Sequence, residues 1–331
     1  MKKGNLGAYV VTHQPDLNYL TDFPQEGYSL LVTPSKVWAF VPMLLKDQFL
    51  QEVRGCEVIP GVTVSEGVKK VFREQSLRRA AFDPENESYA LGKTWEKEGF
   101  RAVPCLVAKL REVKENEDLT RVVRACRVAA SVFETIRRRI RPGRTERSIV
   151  LEMEDRLKKS GADGTAFDLI VASGPHSALP HHRFSDRELR SGEPVVLDFG
   201  CTYRLYRSDM TRTVFLGRPG KEYLRVYRIV EQAQKAGIRC VRPGISAKRV
   251  DEAARSVIRD AGYGPQFIHN TGHGVGLEIH EPPLLGPKSK RRLRAGMVIT
   301  VEPGIYLPGK FGVRIEDTLL VTRNGSRILT R

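Results

Sequence analysis

An internal repeat limits this chain's fold more than any other feature. RPGRTERSIVLEMEDRLKKSG begins at Arg141 and RPGISAKRVDEAARSVIRDAG begins at Arg242, an offset of 101 residues kept along both segments. Each copy opens with Arg-Pro-Gly and places Thr145 or Ser246 as a helix N-cap. Each then runs as an amphipathic helix to a glycine, Gly161 or Gly262. A longer helical pattern precedes each copy, EDLTRVVRACRVAASVFETI and KEYLRVYRIVEQAQKAGI. Downstream, Ser173-Gly174 followed by LPHH parallels Thr271-Gly272 followed by EIHE. GEPVVLDFG parallels GMVITVEPG, which sets Asp198 opposite Glu302, each six residues after its glycine. RSDMTRT parallels RIEDTLL, which sets Asp209 opposite Glu316. The duplication predicts two halves about a pseudo-two-fold axis, with apolar runs bearing single carboxylates facing one another across the middle.

VVLDFG and VITVEPG read as buried strands, so Asp198 and Glu302 need a cationic or metallic partner. One such residue is more often a structural hydrogen-bond acceptor. Four carboxylates in two symmetric pairs are hard to explain that way, because they repel one another unless cations neutralise them. Two divalent ions would balance the charge. Carboxylate oxygens plus one imidazole suit manganese, cobalt or zinc better than a thiolate site would. A two-metal site activates water near neutral pH and polarises a carbonyl, and the natural reaction is amide hydrolysis.

HNTGHGVGLEIHEPP holds His269, His273 and His280, spaced four and seven residues apart among glycines. A dinucleotide loop starting at Gly272 would need glycine at position 277, where Leu277 stands. A zincin would need glutamate inside HNTGH, and none is there.

DFGCTYRLYRSDMTRT, NTGHGVGLEIHE, VITVEPGIY and GVRIEDT resemble the four signature blocks of the pita-bread metallopeptidases. That resemblance implies the metal ligands Asp198, Asp209, His273, Glu302 and Glu316, holding two divalent ions (Mn, Co or Zn). It implies that His181 lies near the metals against substrate, and that His269 and His280 assist at the scissile bond. Arg314 resembles the arginine beside the last ligand, and Glu302 resembles the residue that takes the proton from the attacking water. His176 and His182 are expected to be ordinary surface or supporting histidines, and His13 has no spacing that implies chemistry. QPDLNYLTDF, from Gln14 to Phe23, is similar to the N-terminal domain shared by prolidases, aminopeptidases P and creatinases. The expected fold is thus mixed α/β (α+β): a small creatinase/prolidase-like domain over residues 1–112 and a pita-bread domain over 113–331.

Within residues 1–112, AYVVT, YSLLVT and KVWAFVP read as strands, VSEGVKKVFREQ as a helix, and RRAAFDPENE as a strand ending in a loop. CLVAKLREVKENEDL reads as the hinge. Such first domains usually open with a helix, so the resemblance implies either that this helix is missing or that the true start lies upstream.

The resemblance implies an Xaa-Pro peptidase, aminopeptidase P or prolidase, attacking by a metal-bridging hydroxide on a peptide with proline at its second position. Methionine aminopeptidases share the ligands but lack the first domain and usually the LPHH block. Creatinases and non-catalytic peptide- or nucleic-acid-binding paralogues lose ligands, and all five are present here. A net charge of +16 raises nucleic acid as a partner. RRRIRPGR and KSKRRLR, however, have neither interleaved aromatics nor a readout motif, so nucleic-acid binding is not expected. Five scattered cysteines (Cys56, Cys105, Cys126, Cys201, Cys240) without a CxxC pair fit reduced thiols in a cytoplasm. There is no apolar run of membrane-span length and no signal peptide. The resemblance also implies a homodimer.

Overall fold

A computed structural model describes residues 6–104 and 106–331. The opening residues 1–5 and Cys105, on which the leader and one of the thiol expectations fall, lie outside the described residues. Two compact units divide between Arg111 and Glu112.

The first unit is a six-stranded sheet ordered Glu57–Pro60, Val37–Val41, Ser29–Val32, Ala8–Val11, Ala80–Phe82 and Arg101–Ala102. Its central strands are apolar on both sides, and each face is covered. Leu17, Phe23 and Phe49 pack on one face, Val68, Val71 and Trp95 on the other. The VSEGVKKVFREQ pattern forms the helix Val64–Glu74, started by a capping box in which Thr63 and Glu66 satisfy each other's backbone amides. The sequence read as a hinge contains a short helix, Leu106–Arg111, before the long helix Asn116–Ile136 begins.

The second unit carries the repeat. Its first half pairs the helices Asn116–Ile136 and Glu146–Lys159 with an antiparallel sheet of Ile170–Ser173, Pro194–Phe199 and Met210–Phe215. Its second half pairs Lys221–Cys240 and Ala247–Ile258 with Gly272–Gly274, Val298–Val301 and Asp317–Val321 in the same order, inside a five-stranded sheet. The Arg-Pro-Gly turns are clasped alike. Gly143 and Arg144 exchange backbone hydrogen bonds with Leu189, and Gly244 and Ile245 exchange them with Leu293. Thr145 accepts from the Ser148 amide and Ser246 from the Arg249 amide, the expected N-caps. Gly161 and Gly262 follow their helices at φ 89° and 88°, a conformation that side-chain-bearing residues rarely adopt.

The halves join where 209–213 meets 314–318. Thr318 Oγ1 donates to the Asp209 carbonyl at 2.7 Å, the Glu316 amide to the Thr211 carbonyl at 3.1 Å, and Thr213 Oγ1 to the Arg314 carbonyl at 2.8 Å. The basic runs are drawn into internal pairs: Arg144 with Glu152 at 2.6 Å, Arg294 with Glu112 at 3.1 Å, and Arg291 with Glu112. No helix among the described residues is long and apolar enough to cross a membrane.

Candidate metal centre

The seam between the halves is where the five expected ligands meet. Asp198 is in the strand Pro194–Phe199, opposite Thr211 on one neighbour and Ile170 on the other. Asp209 immediately precedes Met210–Phe215, and Glu316 sits between Phe311–Arg314 and Asp317–Val321. Glu302 lies one residue past the end of Val298–Val301 rather than within it. Pro303 follows it and has no N–H to continue the ladder.

His273 is central in the short strand Gly272–Gly274. Its Nε2 is 3.2 Å from Glu302 Oε1 and 3.5 Å from Asp209 Oδ2. Its Nδ1 is 3.0 Å from the Gly274 carbonyl oxygen. A carbonyl can only accept, so Nδ1 carries a proton; Nε2 donates to Glu302 while the ring is protonated and, once deprotonated, is the nitrogen that can ligate a cation. Ligand atoms of Asp209, His273 and Glu316 all lie within 4.8 Å of one another.

The charges are strained in a way that fits a metal. Burial holds the Asp209 carboxyl well above the usual range, and Glu316, Asp198 and Glu302 push it further. Glu316 is raised likewise, by burial and then by Glu302 and Asp198. Asp198 is raised by burial and by Glu302, against the pull of Arg314. Glu302 goes the other way: burial opposes its charge, but the hydrogen bond from His273 and the charges of His273, His269 and Arg314 bring it down to about 2. Asp198 Oδ1 and Glu316 Oε1 are buried without a hydrogen-bond partner. Buried carboxylate oxygens left this way cost free energy unless a cation meets them, so the donor set suits divalent metal ions.

All five expected ligands line one cavity of about 860 Å³, and His181, His269, His280 and Arg314 line it with them. Burial lowers the pKa of His269, and burial together with His273 lowers that of His280, whose ring stands edge-on to His273 at 4.4 Å. His181 also acts on His280, as expected if the two loops approach each other. The His280 loop is braced from behind by a buried pair, Lys114 Nζ to Glu281 Oε2 at 2.7 Å, while Glu281 Oε1 accepts from the Glu278 amide. Arg314 is buried and spans the site. It donates to Asp198 Oδ2 at 2.5 Å, to Thr211 Oγ1, to the Pro180 carbonyl and to the Tyr306 hydroxyl at 2.7 Å. His13 is in the first unit, 3.7 Å from Asp16.

Sequence reasoning passed over three groups. Tyr306 joins Arg314 to His269, whose Nε2 is 2.9 Å from the hydroxyl. Thr211 donates to Glu316 Oε2 at 2.7 Å, and Thr300 donates to Glu302 Oε1 at 3.1 Å. Glu146 is fully buried and gathers His176 and His182, each 3.0 Å from one of its oxygens, with the two rings 4.2 Å apart and tilted by 36°. The threonines gave no signal, because a hydroxyl in an apolar strand reads as β propensity. Glu146 gave a weak one, as the first residue after an N-cap.

Comparison with known proteins follows the same lines. The model of Metallopeptidase family M24 matches residues 120–323, and that of the Creatinase/Prolidase N-terminal domain matches residues 1–128. The chain is 36% identical over 337 residues to an Xaa-Pro dipeptidase of Pyrococcus horikoshii, covering 100% of this chain and 94% of that one. It is similar to the solved structure of a prolidase from Pyrococcus furiosus, with a TM-score of 0.93 at 34% identity, covering 100% of this chain and 98% of that chain. An X-Pro aminopeptidase from Thermotoga maritima gives 0.90 at 33% identity, covering 98% and 96%. The chain belongs to metallopeptidase family M24, a creatinase/prolidase N-terminal domain followed by a pita-bread peptidase domain.

Proposed function

We propose that this protein is an Xaa-Pro dipeptidase that cleaves the bond before proline, using two divalent ions held by Asp198, Asp209, His273, Glu302 and Glu316. The observation that carries this reading is the gathering of all five ligand side chains in one cavity with His181, His269, His280 and Arg314. When bound, the metal ions supply Lewis acidity, lowering the pKa of water and polarising the scissile carbonyl. Manganese, cobalt and zinc all suit the oxygen-rich donors.

The chain's own residues do the rest. Glu302, whose ionised form is favoured, takes the proton from the attacking water. His269 and His280 favour their neutral forms. The His280 N–H can stabilise the developing oxyanion, the proton that Glu302 takes from water passes on to the leaving proline nitrogen, and His269, tied through Asn270 and Tyr306, holds its ring beside the scissile bond. His181 contacts the substrate from the opposite loop. Arg314 holds Asp198 in place and limits the charge at the centre. The protein acts as a homodimer, and the free thiols Cys56, Cys126, Cys201 and Cys240 support a reducing cytoplasm.

The test is hydrolysis of Gly-Pro, Gly-Pro-Xaa and Met-Ala-Ser peptides with Mn, Co and Zn compared. Gly-Pro cleavage that chelation stops and added metal restores is expected. Preference for the tripeptide would make it an aminopeptidase P, the reading favoured by likeness to the Thermotoga protein. Cleavage of Met-Ala-Ser alone would overturn both.

A further inference from the structure

Glu146, in the first turn of the helix Glu146–Lys159, is fully buried and lies apart from the metal ligands. Its Oε1 accepts from the Ser173 amide at 2.8 Å, the Ser173 hydroxyl at 2.8 Å and His176 Nδ1 at 3.0 Å. Its Oε2 accepts from His182 Nε2 at 3.0 Å, the Ser185 amide at 3.0 Å and the Ser185 hydroxyl at 2.7 Å. These donors hold its carboxyl down to about 2 despite burial, and the helix N-terminus adds to the same preference. One carboxylate thus fastens residues 173, 176, 182 and 185, both ends and two inner points of a single segment.

We propose that Glu146 is a positioning residue that fixes His181 in the wall of the catalytic cavity. His181 is exposed to the cavity, so its direction is set by its neighbours. On one side His182 is held by Glu146. On the other the Pro180 carbonyl accepts from Arg314, which itself holds Asp198. The anchor therefore joins the substrate-facing histidine to the same frame as the metal ligands. Glu146, His176 and His182 also have the spacing of a cation site. Both carboxylate oxygens, however, already receive backbone amides, which a cation would have to displace from the two ends of the segment. Hydrogen-bonded anchoring is the better account.

The inference rests on the role given to His181, and a double-mutant cycle separates the two. With the full chain at saturating Mn, His181→Ala should lower kcat for Gly-Pro about a hundredfold. Glu146→Gln, nearly the same shape but presenting an amide to donors, should lower kcat about tenfold and change KM less than about twofold. In the His181→Ala background, Glu146→Gln should cost less than about a further twofold. Metal content by elemental analysis should stay at the wild-type value. If Glu146→Gln does not fold, as judged by melting, Ser185→Ala carries the cycle with a milder, about threefold effect. Equal cost in both backgrounds would overturn the inference while leaving His181 its role, and so would loss of one metal equivalent on Glu146→Gln. Unchanged activity of His181→Ala would remove the role of His181 and the inference with it.

Discussion

The two halves of the peptidase unit use one frame and fasten it differently. In each, a buried helix carboxylate receives both the amide and the hydroxyl of the residue before a glycine: Glu146 takes Ser173, and Asp251 takes Thr271. In the second half that carboxylate is forked by Arg255 at 2.9 and 2.8 Å, and the guanidinium continues to the carbonyls of Phe267 and His269. In the first half no guanidinium meets Glu146, and imidazoles and hydroxyls take its place. The halves thus share a scaffold whose histidine-bearing segments are held differently: the His269 backbone by a permanent cation, the His181 segment by an ionised carboxylate. The halves differ again one step on, where His273 follows Thr271-Gly272 but Pro175 follows Ser173-Gly174.

That last difference is the largest lever. His273 is the imidazole with no counterpart, so His273→Ala should lower kcat/KM by at least about a thousandfold, together with bound metal measured by elemental analysis. Retained metal and activity would dissolve the proposed centre. Next comes Asp251→Ala, which strands the Arg255 guanidinium beside a vacated site. A loss of about 3 kcal/mol in denaturant unfolding is expected, and a loss under 1 kcal/mol would show that the arginine is held by the carbonyls instead.

The first-half anchor differs in its response to acid. Glu146 falls to about 2 in the fold from an ordinary 4.5. Its folded pKa is depressed, so its contribution is fully present above the unfolded value and is lost as pH falls from 4.5 toward 2. The integrated amount is about 3 kcal/mol. Glu146→Gln should therefore be less stable at pH 7 yet lose less stability through that window, as read by melting at stepped pH. Parallel wild-type and variant curves would refute the assignment.

What the sequence disclosed and what it hid follow the same division. The repeat was legible because helix caps, turns and apolar runs are local signals, and Thr145, Ser246, Gly161 and Gly262 stand where those signals put them. The five expected ligands, which the family resemblance singled out, are polar residues in or beside apolar strands. Supporting contacts were not, because they pair residues far apart in sequence: Arg314 with Pro180, Glu146 with Ser185, Lys114 with Glu281. His176 and His182 could not be told from surface histidines until the fold brought Glu146 between Ser173 and Ser185. The end of the strand before Glu302 turned on Pro303, a single missing amide within an otherwise continuous β pattern.

The smallest effect tests the tie across the cavity. His269 Nδ1 lies 2.8 Å from the Asn270 carbonyl, which only accepts, so the proton is on Nδ1 and neutral His269 accepts at Nε2. Tyr306 therefore donates its hydroxyl proton to His269 and accepts from Arg314, linking the histidine of the second half to the arginine that holds Asp198 of the first. Tyr306→Phe removes both contacts while keeping the ring beside His269. It should lower kcat/KM about tenfold, equivalent to about 1.4 kcal/mol, with stability reduced by about 1 kcal/mol. Because the tautomer is then no longer fixed from both sides, the loss should fall mainly on kcat. A change confined to KM would mean that Tyr306 serves binding and that the two halves hold their catalytic histidines independently.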